Sequence, residues 1–423
     1  MSKPNVIDDK DSQFPYAFRF VAVLGFAYIL SQFLRASNAV VAPELTGDLN
    51  LDPGDIGLLT GAFFLAFAIV QIPIGILFDR LGPRRVVSTL LLLAVAGCVL
   101  FASSDSLIGL TIARVVMGVG CASTLMGAYV IYARWYPPDR FALFSGFQLG
   151  LGNSGLLIAT LPLSAAVVTM GWRVPFILAA AVGLLMALLV FLVIKDQPDK
   201  TTGLESGEGF VKSLMGVSVI LKDRRLWKLF PLSFVGYSTI ATITTLWAGP
   251  YLADVQGLEA IGRGRILLIM SIFSIIGAFS FGPLDRLLNT RKWIVLAGAL
   301  ITVADLVLLA AMDSPSILYV VSSFSLLALM AGNMAILLAH ARSYFPPALI
   351  GRGMTLFNMM NMIGVAISQF ITGAIVDAYT MPGQAAPVEA YQVVFLFLAA
   401  LLFAALIIYA LAADRKPRDE MPA

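Results

Sequence analysis

Ten stretches of this chain, each at least 19 residues long, contain no Lys, Arg, Asp or Glu. A membrane-spanning helix needs about 20 consecutive apolar residues, so each stretch is long enough to cross a bilayer. Two further stretches, 20–43 and 293–312, are each interrupted by a single charge, Arg35 and Asp305. Only 13% of the residues are charged and the mean hydropathy is +0.90, whereas soluble domains carry about 25% charged residues. The sequence therefore predicts an all-α membrane protein with twelve transmembrane helices.

The distribution of positive charge predicts the orientation. If the N-terminus is cytoplasmic, all but five of the 28 Lys and Arg residues fall in cytoplasmic segments. The exceptions are Arg173, Arg263 and Arg265 in outer loops, and Arg35 and Arg114 within spans. Because cytoplasmic loops carry the excess of Lys and Arg, the pattern predicts a multi-pass protein of the cell inner membrane with both termini in the cytoplasm.

The spans divide into two groups of six, separated by a polar segment between spans 6 and 7. Two loop motifs recur at similar separations. Asp79-Arg80-Leu81 returns as Asp285-Arg286-Leu287. Ala133-Arg134 returns as Ala341-Arg342, and two adjacent prolines follow a few residues after each copy of this second motif. Such recurrence predicts an internal duplication. The predicted order is a cytoplasmic tail, an N-terminal six-helix bundle, a cytoplasmic linker, a C-terminal six-helix bundle and a second cytoplasmic tail, at 1–16, 17–195, 196–226, 227–413 and 414–423.

Three segments resemble signatures of the major facilitator superfamily. Residues 75–85, Gly-Ile-Leu-Phe-Asp-Arg-Leu-Gly-Pro-Arg-Arg, resemble the signature between spans 2 and 3, and residues 114–120 and 171–176 are similar to segments of spans 4 and 6. The resemblance covers essentially the whole chain. It implies two six-helix bundles related by a pseudo-two-fold axis, with a substrate site between them. It also implies a monomeric transporter and not an enzyme.

The resemblance further implies gates in the loops after spans 2 and 8. Asp79 would face the start of span 11, whose positive dipole end attracts a carboxylate, and Asp285 would face the start of span 5. The second loop departs from the family pattern, because Gly282 stands three residues before Asp285 and not four. Alternatively, these charges are only signals of topology. The residues expected at the gates are Asp79, Arg80, Arg84, Arg134, Asp285, Arg286 and Arg342.

Two arginines within the spans predict an anion site. A charge at the centre of a membrane helix costs at least about 2.5–3.5 kcal/mol, so it indicates function. Arg35 shares a helical face with Tyr28 and Gln32, and Arg114 lies at a similar depth in span 4. A guanidinium group binds both oxygens of a carboxylate or phosphate. For Arg114 the alternative is a structural role, in which it donates hydrogen bonds to carbonyl groups of span 1.

Residues 33–38, Phe-Leu-Arg-Ala-Ser-Asn, followed by Pro43, resemble span 1 of the organic-anion branch of the superfamily. In that branch an aspartate usually precedes the arginine and takes part in proton coupling. Here Leu34 occupies that position. The resemblance therefore favours an anionic substrate but does not supply the usual coupling residue.

Other polar residues of the spans complete the predicted site. The amides and the phenol expected to contact substrate are Gln148, Tyr237, Asn333, Asn358 and Asn361. Because buried amides need hydrogen-bond partners, the alternative is that they pair between helices. The candidates for proton coupling are Asp305 and His340. The alternatives are a structural carboxyl group and a wetted interfacial histidine.

The sequence thus predicts a secondary or facilitative transporter that moves a small organic anion, a carboxylate or phosphate, by rocker-switch alternating access. The alternative is a proton-coupled drug or cation antiporter. It is disfavoured because Leu151 follows Gly150 in span 5, where such exporters commonly have Gly-Pro. A membrane enzyme is disfavoured because no phosphate loop and no nucleophile with its base is found. The expected partners are the solute, the bilayer, and a proton or counter-anion, with no cofactor, metal or nucleic acid.

Overall fold

The computed structural model describes residues 14–136, 138–196, 220–345, 350–381 and 383–417. The regular structure within these ranges is helical. Within the described ranges, eleven helices are long and apolar enough to cross a membrane, and the bent pair Pro53–Ile69 and Gln71–Phe78, which meet at 40°, makes a twelfth if it counts as one span. Most of the predicted linker 196–226 and parts of both predicted tails lie outside the described residues.

Each of the first six spans is a single helix or a helix broken once along its length. In chain order they comprise Phe14–Leu49, Pro53–Ile69 with Gln71–Leu81, Pro83–Ser103, Leu107–Cys121 with Thr124–Trp135, Pro138–Ile158 with Leu161–Met170, and Arg173–Val193.

The last six spans follow the same plan, and span 7 contains a π-helical turn. In chain order they comprise Phe230–Thr242 with Ile243–Trp247 and Ala248–Asp254, then Ala260–Phe281, Lys292–Ala310, Ile317–Met330 with Asn333–Arg342, Ile350–Tyr379, and Val388–Ala410. Two short helices lie in the connections, Leu226–Lys228 and Leu284–Leu288.

Span 1 is longer than its sequence predicts. The apolar stretch ends at Pro43, but the helix continues through this proline to Leu49. A proline has no N–H, so it leaves the carbonyl four residues earlier without its helical bond. That carbonyl belongs to Ala39, and Gly249 of span 7 packs directly against it. The close approach covers the freed carbonyl, and the extra turns place Glu44 on the helix and not in a loop.

Breaks in the other helices are also compensated by side chains. Span 2 bends between Ile69 and Gln71, and the Gln71 side chain donates to the Ala122 carbonyl, 3.4 Å away, at the break in span 4. Pro162 follows the break in span 5, where the Thr160 hydroxyl donates to the Leu157 carbonyl at 2.6 Å. A backbone break at membrane depth persists only where its freed polar groups find such partners.

At each end of the bundle, carboxylates accept hydrogen bonds from neighbouring segments. We call the end that contains both described chain termini the terminal face, and the other end the opposite face. On the terminal face Asp196 accepts from the backbone N–H of Arg84 at 2.8 Å, and Asp414 accepts from that of Lys292 at 3.1 Å. On the opposite face Trp172 donates to Asp48 at 2.8 Å.

The two halves meet closely on the side of the opposite face. A Cβ atom added to Gly57 of span 2 would lie 2.7 Å from the Gln369 carbonyl of span 11. One added to Gly264 of span 8 would lie 2.4 Å from the Ser164 hydroxyl of span 5. Only glycine permits helix backbones to approach this closely. The halves are therefore sealed together at this end.

Packing differs near the terminal face. The segments closest to it in spans 2, 4 and 10 are Gln71–Leu81, Thr124–Trp135 and Asn333–Arg342. Each of these segments packs mainly against helices of its own half. Among the described residues, the space between the halves is therefore closed toward the opposite face, and these three segments leave it open toward the terminal face.

Candidate functional site

A cavity of about 120 Å³ lies between the two halves, lined by residues of spans 1, 5, 7, 8 and 10. Arg35 is the one charged side chain among the described residues that line it. The polar lining otherwise consists of the Gln32 amide and hydroxyl groups, and the hydroxyls come from Thr160, Tyr237, Thr244, Thr245, Ser271 and Ser274. The cavity is thus positively charged on the side of span 1 and rich in hydroxyl groups on the side of spans 7 and 8.

Three of the spans that line the cavity depart from regular α-helix at the cavity itself. Span 5 breaks next to Thr160, and span 10 breaks at Ala331. Span 7 widens into its π-helical turn at Thr244 and Thr245. Short π-helical turns and interrupted membrane helices occur frequently at binding sites. The irregular backbone and the polar lining therefore coincide.

Arg35 is 8% exposed and has no acidic partner among the described side chains. Its Nε atom has no hydrogen-bond partner there either. The guanidinium carbon lies 4.9 Å from the centre of the Phe67 ring and 5.9 Å from that of Phe64. Cation–π contacts offset part of the cost of burial but leave the N–H donors free. Arg35 is therefore a buried cation whose donors are available to an anion.

Gln32 and Tyr28, which share a helical face with Arg35, have different surroundings. Gln32 lines the cavity, and its buried Oε1 atom has no hydrogen-bond partner in the described chain. Tyr28 is buried and packs its ring against Gly152 of span 5. The predicted face of three polar residues thus brings Gln32 and Arg35 together in the cavity, with Tyr28 supporting the contact between spans 1 and 5.

Arg114 occupies a different environment. Its side chain is 0% exposed and does not belong to the lining of the cavity. It donates to the Leu34 carbonyl of span 1 at 3.0 Å and to the Leu59 carbonyl of span 2 at 3.3 Å. Its guanidinium carbon lies 4.7 Å from the centre of the Phe63 ring. This arrangement matches the structural alternative for Arg114, because its donors link spans 1, 2 and 4.

The predicted amide residues lie outside the cavity lining and mostly pair between helices. Gln148 donates to the Leu24 carbonyl at 3.0 Å and accepts from the Tyr132 hydroxyl at 2.8 Å. Asn333 donates to the Val295 carbonyl at 3.1 Å. Asn361 is hydrogen-bonded to Ser233 at 2.8 Å, and Asn358 is half-buried. Tyr237 alone among the predicted phenol and amides of spans 5, 7, 10 and 11 lines the cavity.

Neither of the two candidates for coupling belongs to the cavity lining. Asp305 of span 9 accepts from the Ser323 hydroxyl of span 10 at 2.9 Å. His340 is fully buried, with Nδ1 2.7 Å from the Tyr409 hydroxyl and Nε2 2.9 Å from the Ala413 carbonyl. A carbonyl only accepts, so Nε2 carries the proton and Nδ1 accepts from Tyr409. The expectation of a wetted histidine is wrong, because both ring nitrogens bind protein groups.

The predicted gate residues lie on the terminal face. Arg84 donates from Nε to the Phe191 carbonyl at 2.6 Å, and Asp285 accepts from Arg291 at 3.3 Å. Asp285 thus pairs within its own loop in this arrangement. The side chain of Asp79 and most of those at the start of span 5 lie outside the described set, so both gate contacts stay predictions. Arg80, Arg286 and Arg342 are exposed and Arg134 is half-buried.

Sequence reasoning missed the hydroxyl groups of span 8. Ser271 and Ser274 are three residues apart, so they share one helical face, and both line the cavity. They are the polar residues of an otherwise apolar stretch, 266–277. The spacing of these two serines was the one sequence feature that could have indicated their shared position in the cavity. Serines are common in membrane helices, where they bond to their own backbone, and the pattern therefore did not distinguish them.

Comparisons with known proteins agree with this architecture. The sequence profile of the Major Facilitator Superfamily matches residues 24–328 and 266–422. The chain is 26% identical over 250 residues to a probable sulfoacetate transporter of Cupriavidus necator, covering 56% of this chain and 58% of that one. It is 26% identical over 275 residues to a hexuronate transporter of Bacillus subtilis, covering 62% and 63%.

The matched segments thus cover somewhat less than two thirds of these two relatives. Among solved structures, a bacterial homologue of the human lysosomal transporter Spinster in an inward-facing, unoccupied conformation is similar with a TM-score of 0.75. The sequence identity is 21%, and the alignment covers 94% of this chain and 97% of that one. At this identity the likeness supports the fold.

Proposed function

The chain belongs to the major facilitator superfamily, and we propose that it is a secondary transporter that moves a small organic anion across the inner membrane by alternating access. The observation that carries this proposal is Arg35. Its guanidinium group lies at the cavity between the halves without an acidic partner among the described residues. An anion bound there would meet groups of both halves at once, as alternating access requires.

The energetics of Arg35 support an anionic ligand. A buried charge without a partner is costly, and a membrane protein retains one where function needs it. A carboxylate, sulfonate or phosphate group would accept two parallel hydrogen bonds from the guanidinium fork and neutralise its charge. The Gln32 amide lies on the same helical face one turn away and would donate a further hydrogen bond. Binding would therefore satisfy the Nε donor of Arg35, which has no partner among the described residues.

The related proteins support the same class of substrate. Sulfoacetate and hexuronates, the substrates named for the two relatives, are small organic anions. Each of them carries at least one acidic group, a carboxylate in the hexuronates and a carboxylate and a sulfonate in sulfoacetate, whereas the rest of each molecule differs. We therefore assign the acidic group to Arg35 and leave the remainder of the substrate to the second half of the cavity.

We also propose the orientation and the domain boundaries. The excess of Lys and Arg supports a cytoplasmic location for both termini, which makes the terminal face cytoplasmic and the described conformation inward-facing. In this scheme residues 17–195 and 227–413 are two rocking bundles, and 196–226 is their cytoplasmic linker. Asp79, Arg80, Arg84 and Arg134 would contribute to the cytoplasmic gate, with Asp285, Arg286 and Arg342 in the second half.

Structural roles account for Arg114, Asp305 and His340. Each is buried and hydrogen-bonded to a neighbouring span or chain end, and none of them lines the cavity. We therefore assign proton coupling to none of the three. The driving force in this scheme is the gradient of the anion itself or of a second anion that uses the same site.

Transport by purified protein in liposomes tests the proposal. Liposomes loaded with glucuronate should take up labelled glucuronate by exchange, and the same assay with sulfoacetate covers the second relative. Arg35→Gln should abolish exchange, whereas Arg173→Gln, which changes an arginine of the opposite face, should retain it. Uptake of tetraphenylphosphonium without uptake of any anion would contradict the proposal and support the alternative of a cation antiporter.

A further inference from the structure

We propose that a groove between spans 9 and 12 binds an anionic phospholipid of the leaflet at the terminal face, with the lipid phosphate beside Lys292 and one acyl chain along the groove. The groove lies in the second half of the protein, and it shares no lining residue with the cavity between the halves. The proposal therefore concerns a second binding site, which is independent of the transported solute.

The groove has a volume of about 370 Å³ and lies where spans 9 and 12 pack against each other. Apart from the indole N–H of Trp293, the side chains that line it in the described chain are apolar. Span 9 contributes one helical face, with spacings of three and four residues: Trp293, Leu296, Ala297 and Leu300. Ala410 of span 12 lines it near the terminal face. The small side chains of Ala297 and Ala410 thus leave room for a hydrocarbon chain between larger neighbours.

The depth of the groove matches one leaflet of the bilayer. Trp293 is the second residue of span 9, and Leu300 lies about 10 Å further along the helix axis, at about 1.5 Å per residue. One leaflet accounts for about half of the roughly 30 Å hydrocarbon core. The groove therefore begins at the level of the head groups and follows about two thirds of the depth of that leaflet, as an acyl chain of a phospholipid does.

A cationic group lies at the end of the groove that is nearest the head groups. The Lys292 ammonium lies 5.5 Å from the centre of the Trp293 ring, and it forms no hydrogen bond or ion pair with the part of the chain that the structure describes. Basic pockets between membrane helices bind anionic head groups of phospholipids. Tryptophan is also enriched at the level of the head groups. Lys292 and Trp293 therefore give the groove the charge that an anionic lipid needs.

The surrounding charges leave this corner of the protein positive. Asp414 accepts from the backbone N–H of Lys292 at 3.1 Å, and its charge is offset by the start of span 9. This contact holds the segment after span 12, which includes the exposed Lys416, beside Lys292. Asp285 pairs with Arg291 at 3.3 Å. The two carboxylates thus have protein partners, whereas Lys292 and Lys416 are available to a phosphate group.

The first half covers the equivalent gap with its own side chain. Asp196 accepts from the backbone N–H of Arg84 in the same way as Asp414 accepts from that of Lys292, so the starts of spans 3 and 9 correspond. The Nε atom of Arg84 donates to the Phe191 carbonyl of span 6 at 2.6 Å, and its guanidinium carbon lies 4.4 Å from the centre of the Phe191 ring. Arg84 therefore joins spans 3 and 6.

Spans 9 and 12 lack this contact. The residue equivalent to Phe191, five positions before the acidic residue, is Tyr409, and it is fully buried. The Lys292 ammonium lies instead over the ring of Trp293 in its own helix. The gap that Arg84 covers in the first half is thus the open groove of the second half, where a bound phospholipid would contact both spans.

Native mass spectrometry of the purified full chain in detergent tests the site, because it counts the lipids that remain bound. The two probes are palmitoyl-oleoyl phosphatidylglycerol, which is anionic, and palmitoyl-oleoyl phosphatidylethanolamine, which has the same acyl chains and no net charge. Titration of each lipid gives the Kd of the first molecule bound. We expect phosphatidylglycerol to bind at least about fivefold more tightly, a difference of about 1 kcal/mol.

Substitutions test the head-group contact and the groove separately. Lys292→Gln should reduce the preference for phosphatidylglycerol to within about twofold, whereas Lys222→Gln, which changes an exposed lysine outside the groove, should retain it. Ala410→Leu fills the groove and should weaken binding of both lipids by at least about fivefold. Ala404→Leu changes an exposed alanine of the same span that does not line the groove, and it should bind both lipids as the parent does.

Ala297→Leu fills the groove from span 9 and should have the same effect as Ala410→Leu, so that the test does not depend on one variant. Thermal unfolding without lipid verifies that each variant is folded. Equal affinities of the parent for the two lipids would overturn the inference, as would unchanged lipid binding by both filling variants. A dimer of the parent that both filling variants abolish would assign the groove to a second copy of the chain and would also overturn it.

Discussion

Arg263, in the first turn of span 8, donates from Nη2 to Oε1 of Glu44 near the end of span 1. The two residues belong to different halves of the protein, and the arginine also donates to the Leu258 carbonyl at 3.1 Å. Their side chains are 10% and 24% exposed, so water screens the pair only partly. The ion pair therefore joins the halves at the face where the cavity is closed.

Removing the charge of Glu44 should weaken this closure. Glu44→Gln keeps the shape but loses a charged hydrogen bond worth about 1–3 kcal/mol, which favours opening at the opposite face. The measurement is the labelling rate of Ser271→Cys by a membrane-impermeant maleimide applied to the opposite face of protein in liposomes, with Cys98 and Cys121 replaced by alanine. We expect an increase of at least about fivefold.

Two controls make this result specific. Asp105→Asn removes an ion pair with Arg173 on the same face but within the first half, so the labelling rate should not change. The exchange Glu44→Arg with Arg263→Glu restores opposite charges and should return the rate toward that of the parent. No change in labelling for Glu44→Gln would show that the pair does not hold the face closed.

The close packing of Gly57 in span 2 leads to a second prediction. An alanine at 57 would place its Cβ 2.7 Å from the Gln369 carbonyl and 2.8 Å from the Gly373 Cα. At Gly75, on the same span, an added Cβ meets nothing within 4 Å. Gly57→Ala should therefore prevent closure of the opposite face and raise labelling of Ser271→Cys, whereas Gly75→Ala should not.

Both substitutions gain the same helix propensity, about 1 kcal/mol per Gly→Ala change, so this term cancels between them. An equal labelling rate in Gly57→Ala and Gly75→Ala would contradict the role of Gly57 in closure.

Substitution of the two membrane arginines should change the free energy of unfolding in opposite directions. Arg114→Gln removes donors from the Leu34 and Leu59 carbonyls and should lower the free energy of unfolding by about 2–4 kcal/mol. Arg35→Gln removes an unpaired buried cation and should stabilise the empty protein by about 0.5–2 kcal/mol. Thermal unfolding of both variants without ligand measures the difference. Destabilisation by Arg35→Gln as large as that by Arg114→Gln would contradict the separation of roles.

This contrast shows what the sequence could predict about the site. Arg35 and Arg114 look alike in the sequence, since each is one arginine within an apolar stretch. Their roles differ because Arg35 faces the gap between the halves, whereas Arg114 faces carbonyls within the first half. That difference depends on the orientation of spans 1, 2 and 4 about their helix axes. Packing between segments distant in sequence determines this orientation, and local periodicity does not.

The fold was more predictable because its main constraint is local. Apolar length and the positions of charges located the twelve spans. The extension of span 1 past Pro43 was not predictable, because it depends on Gly249 covering the Ala39 carbonyl from another span. Likewise, the role of His340 depends on Tyr409 and Ala413, which are far from it in sequence.

Asp414 gives a prediction about pH. It follows the end of span 12 and accepts from the Thr290 hydroxyl at 2.6 Å and from the N–H groups of Arg291 and Lys292 at 3.1 Å. Burial raises the pKa of this carboxyl, but the hydrogen bonds outweigh it, and the net pKa is below the ordinary value. A carboxylate at this helix start also gains from the dipole of span 9.

Asp414→Asn should therefore lower the free energy of unfolding at neutral pH by about 0.5–2 kcal/mol. A carboxyl with a lowered folded-state pKa contributes stability above its unfolded pKa, about 3.9. This contribution is lost as the pH falls through the folded value. The difference between parent and variant should thus be constant above pH 5 and shrink below pH 4. A difference that persists unchanged to pH 3 would contradict this assignment.

The central claim is that Arg35 binds the acidic group of the transported solute, and calorimetric titration of purified protein with gluconate and with glucuronate tests it most directly. The account predicts saturable binding of at least one of the two to the parent, retained in Arg173→Gln. Arg35→Gln should bind at least about 100-fold more weakly, because it loses about 2.7 kcal/mol of charge-assisted hydrogen bonding. Equal affinities of the parent and Arg35→Gln would contradict the account.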